Sequence, residues 1–220
     1  MITVTDYQPD DTIAIDTMIV ENAPNGNYAT DVNLIVGCYW TSDASRSILI
    51  GLDWLWNGNG GSNCPKNKKF KLLSDVKLSL YVLSVGSGGS AYWPHFCYVK
   101  RPWTENGATW NTYDGVNAWG TAGANNDTTD VLNTGFQRYG GSASSWWDIY
   151  IPAGVVEQSK LGVYFGIIIR DFFSLANYAA ICASSSYAAD VSKRPKYSFD
   201  YEVPFLISIP HLLTSGYPKR

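Results

Sequence analysis

Ionisable side chains are scarce in this chain. Charged residues make up 16% of the 220, and there are two His, against about 25% charge in an average globular domain. A nucleic-acid binder held by phosphate contacts carries a basic balance. Here 16 Lys and Arg face 19 Asp and Glu, a net charge of −3, so that class is not expected. No apolar run reaches the ~20 residues of a membrane-spanning helix, and none is expected. The start, Met1-Ile-Thr-Val-Thr-Asp-Tyr, has neither a basic nor an apolar leader segment and reads as no secretory signal. Amphipathic helical periodicity over 12 or more residues is missing too. Paired cysteines are absent: Cys38, Cys64, Cys97 and Cys182 are separated by 26, 33 and 85 positions, unlike the closely spaced ligands of a zinc site. Cys38, Cys97 and Cys182 lie in strand-like apolar contexts and read as buried thiols. Cys64 lies in a polar stretch and reads as the exposed one. Four Cys allow three full pairings, and spacing does not choose among them.

What is abundant is aromatic: nine Trp, fifteen Tyr and eight Phe. Short β-rich runs recur between Gly, Asn, Asp, Ser and Pro clusters, at Thr12–Val20, Asn33–Trp40, Ser47–Trp54, Asp75–Val85, His95–Lys100, Trp146–Ile151, Gly162–Arg170, Tyr178–Ala183 and Tyr197–Val203. Val76–Leu83 alternates over its first half, as a half-buried strand does. Gly162–Ile169 is almost continuously apolar, as expected of a central strand. Nine or so short strands with turn punctuation predict an all-β antiparallel sandwich or barrel. Pro152 is a start signal for one helical turn near Ala153–Lys160. Ser87–Tyr92 reads as a hairpin loop. Asn106–Gln137 is a long connection, which inside a compact domain is either functional or packed down by its own aromatics; Trp103, Trp110 and Trp119 are at hand for that. Residues 1–203 read as one domain and 204–220 as an apolar C-terminal extension.

Trp103-Thr-Glu-Asn-Gly-Ala-Thr-Trp-Asn resembles the signature of DNRLRE-type domains, in which Trp103, Thr104, Glu105, Thr109 and Trp110 are the motif positions. Other landmarks follow in the family's order: Asp16-Thr-Met-Ile, Asn27-Tyr, Arg46-Ser-Ile-Leu-Ile-Gly-Leu-Asp, Val76-Lys-Leu-Ser-Leu-Tyr, Trp119-Gly-Thr-Ala-Gly, Trp147-Asp-Ile-Tyr-Ile-Pro and Ala183-Ser-Ser-Ser with Lys193-Arg-Pro-Lys-Tyr-Ser-Phe-Asp-Tyr. The resemblance spans about residues 11–203. It implies a jelly-roll-like antiparallel β-sandwich of about nine or more strands, in a family that includes carbohydrate-binding modules. Trp54–Phe70 looks like a local elaboration.

The residues favour binding over catalysis. No hydrolase motif is visible, and no enzymatic activity is expected. Glu105 reads as an acceptor that pins its loop to backbone N–H groups or to an Arg. Trp54, Trp56, Tyr92, Trp93 and Trp146 are the candidates for an exposed aromatic platform. Lys66, Lys68 and Lys69, with Lys100 and Arg101, would suit an acidic polysaccharide. No cofactor is required. The one metal the loops suit is a structural calcium, with Asp11, Asp114, Asp127 and Asp130 as oxygen donors; the alternative is Asx-turn chemistry. Phe205, Leu206, Ile207, Leu212 and Leu213 in the tail either pack back on the domain or dock on a neighbouring subunit. Two functions stand. The first is a structural or assembly protein of a virion or extracellular surface, a decoration, fibre or tail-like component whose partners are its own copies or a scaffold protein. The second is a carbohydrate-binding module for a polysaccharide.

Overall fold

The computed structural model of the chain describes residues 1–9, 12–38, 44–56, 64–65, 67–86, 94–129, 143–170, 179–187 and 189–203. Among them are eleven strands: β1 (Ile2–Tyr7), β2 (Asp16–Val20), β3 (Asn33–Gly37), β4 (Arg46–Ile50), β5 (Lys71–Leu72), β6 (Val76–Val85), β7 (His95–Tyr98), β8 (Ser145–Ile151), β9 (Ile167–Arg170), β10 (Ala179–Ala183) and β11 (Lys196–Glu202). One helix, α1, covers Ala153–Lys160. It is not long enough to cross a membrane, and no other helix among the described residues is.

The strands form two antiparallel sheets, an all-β sandwich. The smaller has the order β2-β4-β9-β7. In the larger, β6 meets three strands. β8 runs along Val76–Val82 on one edge, while β11 and β10 take Lys77–Ser79 and Val82–Val85. A strand has only two edges, so β11 and β10 share the second. β1 then pairs β11, and β3 pairs β10. Alternation decides what each strand buries. In β6, Val76, Leu78, Leu80 and Val82 point inward; in β8, Trp147, Ile149 and Ile151 do. They meet Ile48, Ile50, Ile167 and Ile169 from the smaller sheet in one core.

The smaller sheet is apolar on both faces, and the structure shows why. Its outer face carries Ile19, Leu49, Cys97 and Ile168, which form a second core with Ala108, Trp119 and Ala124; Trp103, Trp110 and Tyr113 pack against it. The stretch Trp103–Asp127 is thus a third layer laid over the sheet. That is why Ile48–Ile50 and Ile167–Ile169 are fully buried runs rather than alternating ones. Each such side chain contributes about 1.5–3 kcal/mol relative to exposure.

Several expectations are corrected. Gly162–Arg170 is a strand only from Ile167. The residues before it close α1: Gly162 has φ 75°, its N–H donates to the Ser159 carbonyl, and Val163 N–H reaches back to the Gln158 carbonyl. This is a glycine-dependent helix stop. Gly166, at φ 138°, then approaches Ile50 so closely that a Cβ would lie 2.3 Å from its carbonyl oxygen. Trp54 lies in a 3-10 turn, Asp53–Leu55, not in β4. Cys64 is buried, as are the other three cysteines, and all four are free thiols. It packs among the core residues near Phe70 and Leu72, and burial pushes its pKa up to about 11. β1 and β5 were not anticipated. Ser87–Tyr92 and the tail from 204 lie outside the described residues.

Candidate binding cleft

The sequence motif sits at one end of the smaller sheet, and its polar groups form a clasp. Glu105 Oε1 accepts the Asp16 N–H at 2.9 Å. Asp16 is itself buried, and its Oδ2 accepts the Ser185 N–H at 3.0 Å. Asn27 Nδ2 donates to the carbonyls of Glu105 and Ala108 at 2.7 and 2.9 Å. Residues scattered along the chain, at 16, 27, 105 and 185, meet here to tie the third layer to the sheet. Thr104 gives its carbonyl to the N–H groups of Gly107 and Ala108. Thr109 Oγ1 lies 2.9 Å from Thr112 Oγ1. Trp119 Nε1 donates to the Thr109 carbonyl at 2.9 Å, and Trp103 Nε1 to the Phe165 carbonyl at 3.0 Å. Trp110 is half-buried over Gly123.

Beside this clasp lies a cleft of about 300 Å³, lined among others by Asp53, Trp56, Lys68, Trp103, Tyr164 and Phe165. Three elements build it. The 3-10 turn after β4 brings Asp53 and Trp56. The helix stop after α1 brings Tyr164 and Phe165. The start of the third layer brings Trp103, whose indole is held in place by its bond to Phe165. Lys68 is positioned by donating to the Lys160 carbonyl at 2.8 Å, with its ammonium 5.9 Å from the Trp56 ring. Lys160 in turn is buried, donating to the Phe70 carbonyl at 2.6 Å and paired with Glu157. Asp53 is exposed as a residue, yet partial desolvation of its carboxyl raises its pKa. Aromatic walls with a few convergent polar groups are the usual make-up of a small-ligand site.

The expected platform residues do not act together. Trp54 is fully buried, with its ring centroid 4.5 Å from that of Tyr197; it plugs the end of the main core and offers no face to a ligand. Trp56 is 8% exposed and forms part of the cleft wall, not an open surface. The alternation expected for a strand does not apply to them, because a tight turn after β4 directs both inward. Trp146 is on the outer face of the larger sheet, half-buried, 5.2 Å from Tyr81 and capped at 4.2 Å by the Lys196 ammonium. Tyr92, Trp93 and Lys66 lie outside the described residues. Lys69 and Lys100 are exposed. Arg101 is engaged within the chain, donating from Nε to Asp127 at 2.8 Å and lying over Tyr113.

The acidic donors are likewise used by the loop. Asp114 Oδ1 accepts the N–H groups of Val116 and Asn117, and Oδ2 accepts Asn117 Nδ2. These bonds, that from the Asn117 side chain above all, lower its pKa. Asp127 accepts from Arg101 and from the Gly120 N–H. Asp11 and Asp130 lie outside the described residues. Among the described residues, no three His, Cys, Asp or Glu side chains gather as a metal site. Asp53 and Tyr164 were not anticipated as site residues; they reach the cleft through a turn and a helix stop that carry no binding motif. No protein-family model matches the chain, and no curated protein matches it in sequence.

Proposed function

We propose that this chain is a non-catalytic binding module that holds a glycan in the cleft between Trp103, Tyr164 and Trp56. The observation that carries the reading is the convergence of those three rings with Lys68 and Asp53 in one cleft of about 300 Å³. Rings fixed by packing stack on the apolar C–H faces of a sugar at low entropic cost. An ammonium and a carboxyl then meet its hydroxyls. The resemblance to DNRLRE-type domains, some of which bind carbohydrate, supports the same reading, and with it a jelly-roll-like connection of the strands.

Affinity electrophoresis of the full chain against neutral and acidic polysaccharides tests it. Binding that Lys68→Ala and Tyr164→Ala each weaken about fivefold or more, as loss of one stacked or charged contact implies, is expected, with melting temperatures near wild type. Absence of binding to every polysaccharide, or binding unchanged in both variants, refutes the reading.

A second reading is a subunit of a virion or extracellular surface array. It draws on β8, which among the described residues pairs only β6 and presents Tyr150, 52% exposed, on its outer face. An unpaired edge with an exposed aromatic suits contact between copies. A monomer by gel filtration at high concentration counts against it.

A further inference from the structure

At the opposite end of β9 from the glycan cleft, the strand finishes on Arg170. The residue is 5% exposed. It points to the outer face of the smaller sheet, as Ile168 two residues earlier does. His95 is its partner on β7. The β4 register, Ile48 opposite Ile169, places Ser47 beside it on the other side. A guanidinium so deeply placed is normally matched by a carboxylate. Among the described residues its acceptors are neutral: Nη1 donates to Asn125 Oδ1 at 2.7 Å, and Nη2 makes a long contact of 3.4 Å with the Gly123 carbonyl. Nε has no acceptor, and no ion pair joins Arg170 to a carboxylate among the described residues.

The same arginine lines a pocket of about 240 Å³ with Glu21, Ser45, Ser47, Trp110, Gly123 and Asn125. Trp110 supplies a flat apolar wall, and Ser47 a buried hydroxyl-bearing side chain. Glu21 is on the exposed rim, where its Oε2 accepts the Ser45 N–H at 2.9 Å; it is not paired with Arg170. Burial lowers the pKa of Arg170 from its ordinary value. A buried cation with no carboxylate partner among the described residues carries a desolvation cost that an apolar side chain in its place would avoid.

We propose that this pocket binds a small carboxylate ligand, its oxygens taken by the Arg170 guanidinium and its body laid along Trp110. A planar carboxylate matches the donor fork of arginine. The pocket has room for a body no larger than about one sugar ring, as a site below the usual 300–1,000 Å³ range implies. Glu21 at the rim opposes the incoming anion, so its charge limits affinity. The proposal stands apart from the glycan reading, since it uses other residues at the other end of the sheet.

Titration of the full-length chain with sodium glucuronate, sodium acetate, glucose and sodium sulfate at constant ionic strength, followed by amide and indole NMR shifts, tests it. Glucuronate and acetate are expected to shift the Trp110 indole and the Gly123 and Ser47 amides, while glucose does not. Glucuronate is expected to bind more tightly than acetate, because its ring lies on the Trp110 wall; equal affinity refutes the part of the proposal that lays the body along Trp110. Asn125→Asp places an internal carboxylate against Nη1, so binding is expected to fall about tenfold or more, as loss of a charge-assisted contact implies. Its melting temperature is expected to rise. Glu21→Gln is expected to tighten binding, and Arg170→Met to abolish it while the chain stays folded. Pocket resonances unmoved by glucuronate, equal shifts with sulfate, or Asn125→Asp binding as tightly as wild type would overturn the proposal.

Discussion

Trp119 gives the sharpest test of whether the stretch Trp103–Asp127 is a true third layer. Its indole is 4% exposed, packs 5.7 Å from the Tyr113 ring and sits in the second core against Ile168 and Leu49. Truncating a buried Trp to Ala typically costs about 3–5 kcal/mol. Trp119→Ala also strands the Thr109 carbonyl, which accepts the indole N–H at 2.9 Å. Trp119→Phe keeps most of the packing and loses that bond, a cost of about 1 kcal/mol. For a domain of this size each kcal/mol moves the melting temperature by about 2–4 °C. Trp119→Ala is therefore expected to melt about 10 °C or more below wild type, and Trp119→Phe only a few degrees below. Urea denaturation followed by far-UV circular dichroism and by fluorescence checks the magnitude, and both probes should move together. Amide exchange at Leu49 and Ile168 should speed up in Trp119→Ala. A Trp119→Ala midpoint shifted by less than about 1 kcal/mol, with those amides still protected, would mean that the stretch rests on the sheet without holding it, and the three-layer account would fall.

Gly166→Ala should destabilise by about 2 kcal/mol or more, because its φ is 138° and a Cβ would meet the Ile50 carbonyl at 2.3 Å; an unchanged melting curve refutes this. Glu105→Ala leaves the buried Asp16 N–H without its acceptor and should cost about 1–3 kcal/mol, whereas Glu105→Gln keeps an oxygen there and should cost less, with glycan binding intact in both. Loss of binding at unchanged stability would move Glu105 from clasp to contact residue. The four thiols are buried, so they should resist a thiol reagent until the chain unfolds; fast labelling of the native protein refutes it. Burial raises Cys64 to about 11 and Cys182 to about 12 from the ordinary 9.0. Above pH 9 the unfolded thiols ionise while the folded ones stay protonated, so the unfolded state binds fewer protons and stability should fall from about pH 9 toward pH 12. A flat denaturation midpoint across that range contradicts the assignment.

Much of the fold was legible from local pattern. Alternation in Val76–Leu83 and the apolar runs at Ile48–Ile50 and Ile167–Ile169 mark strands without knowledge of their partners. Pro152 marks the start of α1. β1 is not legible although Ile2-Thr-Val-Thr alternates, because only Val4 of its residues is buried and the pattern is too short to stand alone. Trp54 is a plug and Trp56 a cleft wall rather than parts of an open platform, because exposure in a turn depends on what the turn packs against. The cleft was only half legible. Lys68 and Trp56 stood out by type; Trp103 read as a motif position that packs its loop down, and Asp53 and Tyr164 had no local signal. Arg170 had one, a charge closing a strand buried on both faces.

The sequence by itself determined that this protein is all-β, aromatic-rich and sparsely charged. Those properties follow from side-chain periodicity and composition, which act over a few residues. It also held the motif that ties the third layer down. Only the tertiary structure decided that Asp16, Asn27, Glu105 and Ser185 form one clasp, that Trp54 is a plug, and that Arg170 shares a pocket with Trp110 with no carboxylate paired to it among the described residues. Contacts between residues far apart in the chain depend on strand order and register, and those are set by burial summed over both sheets.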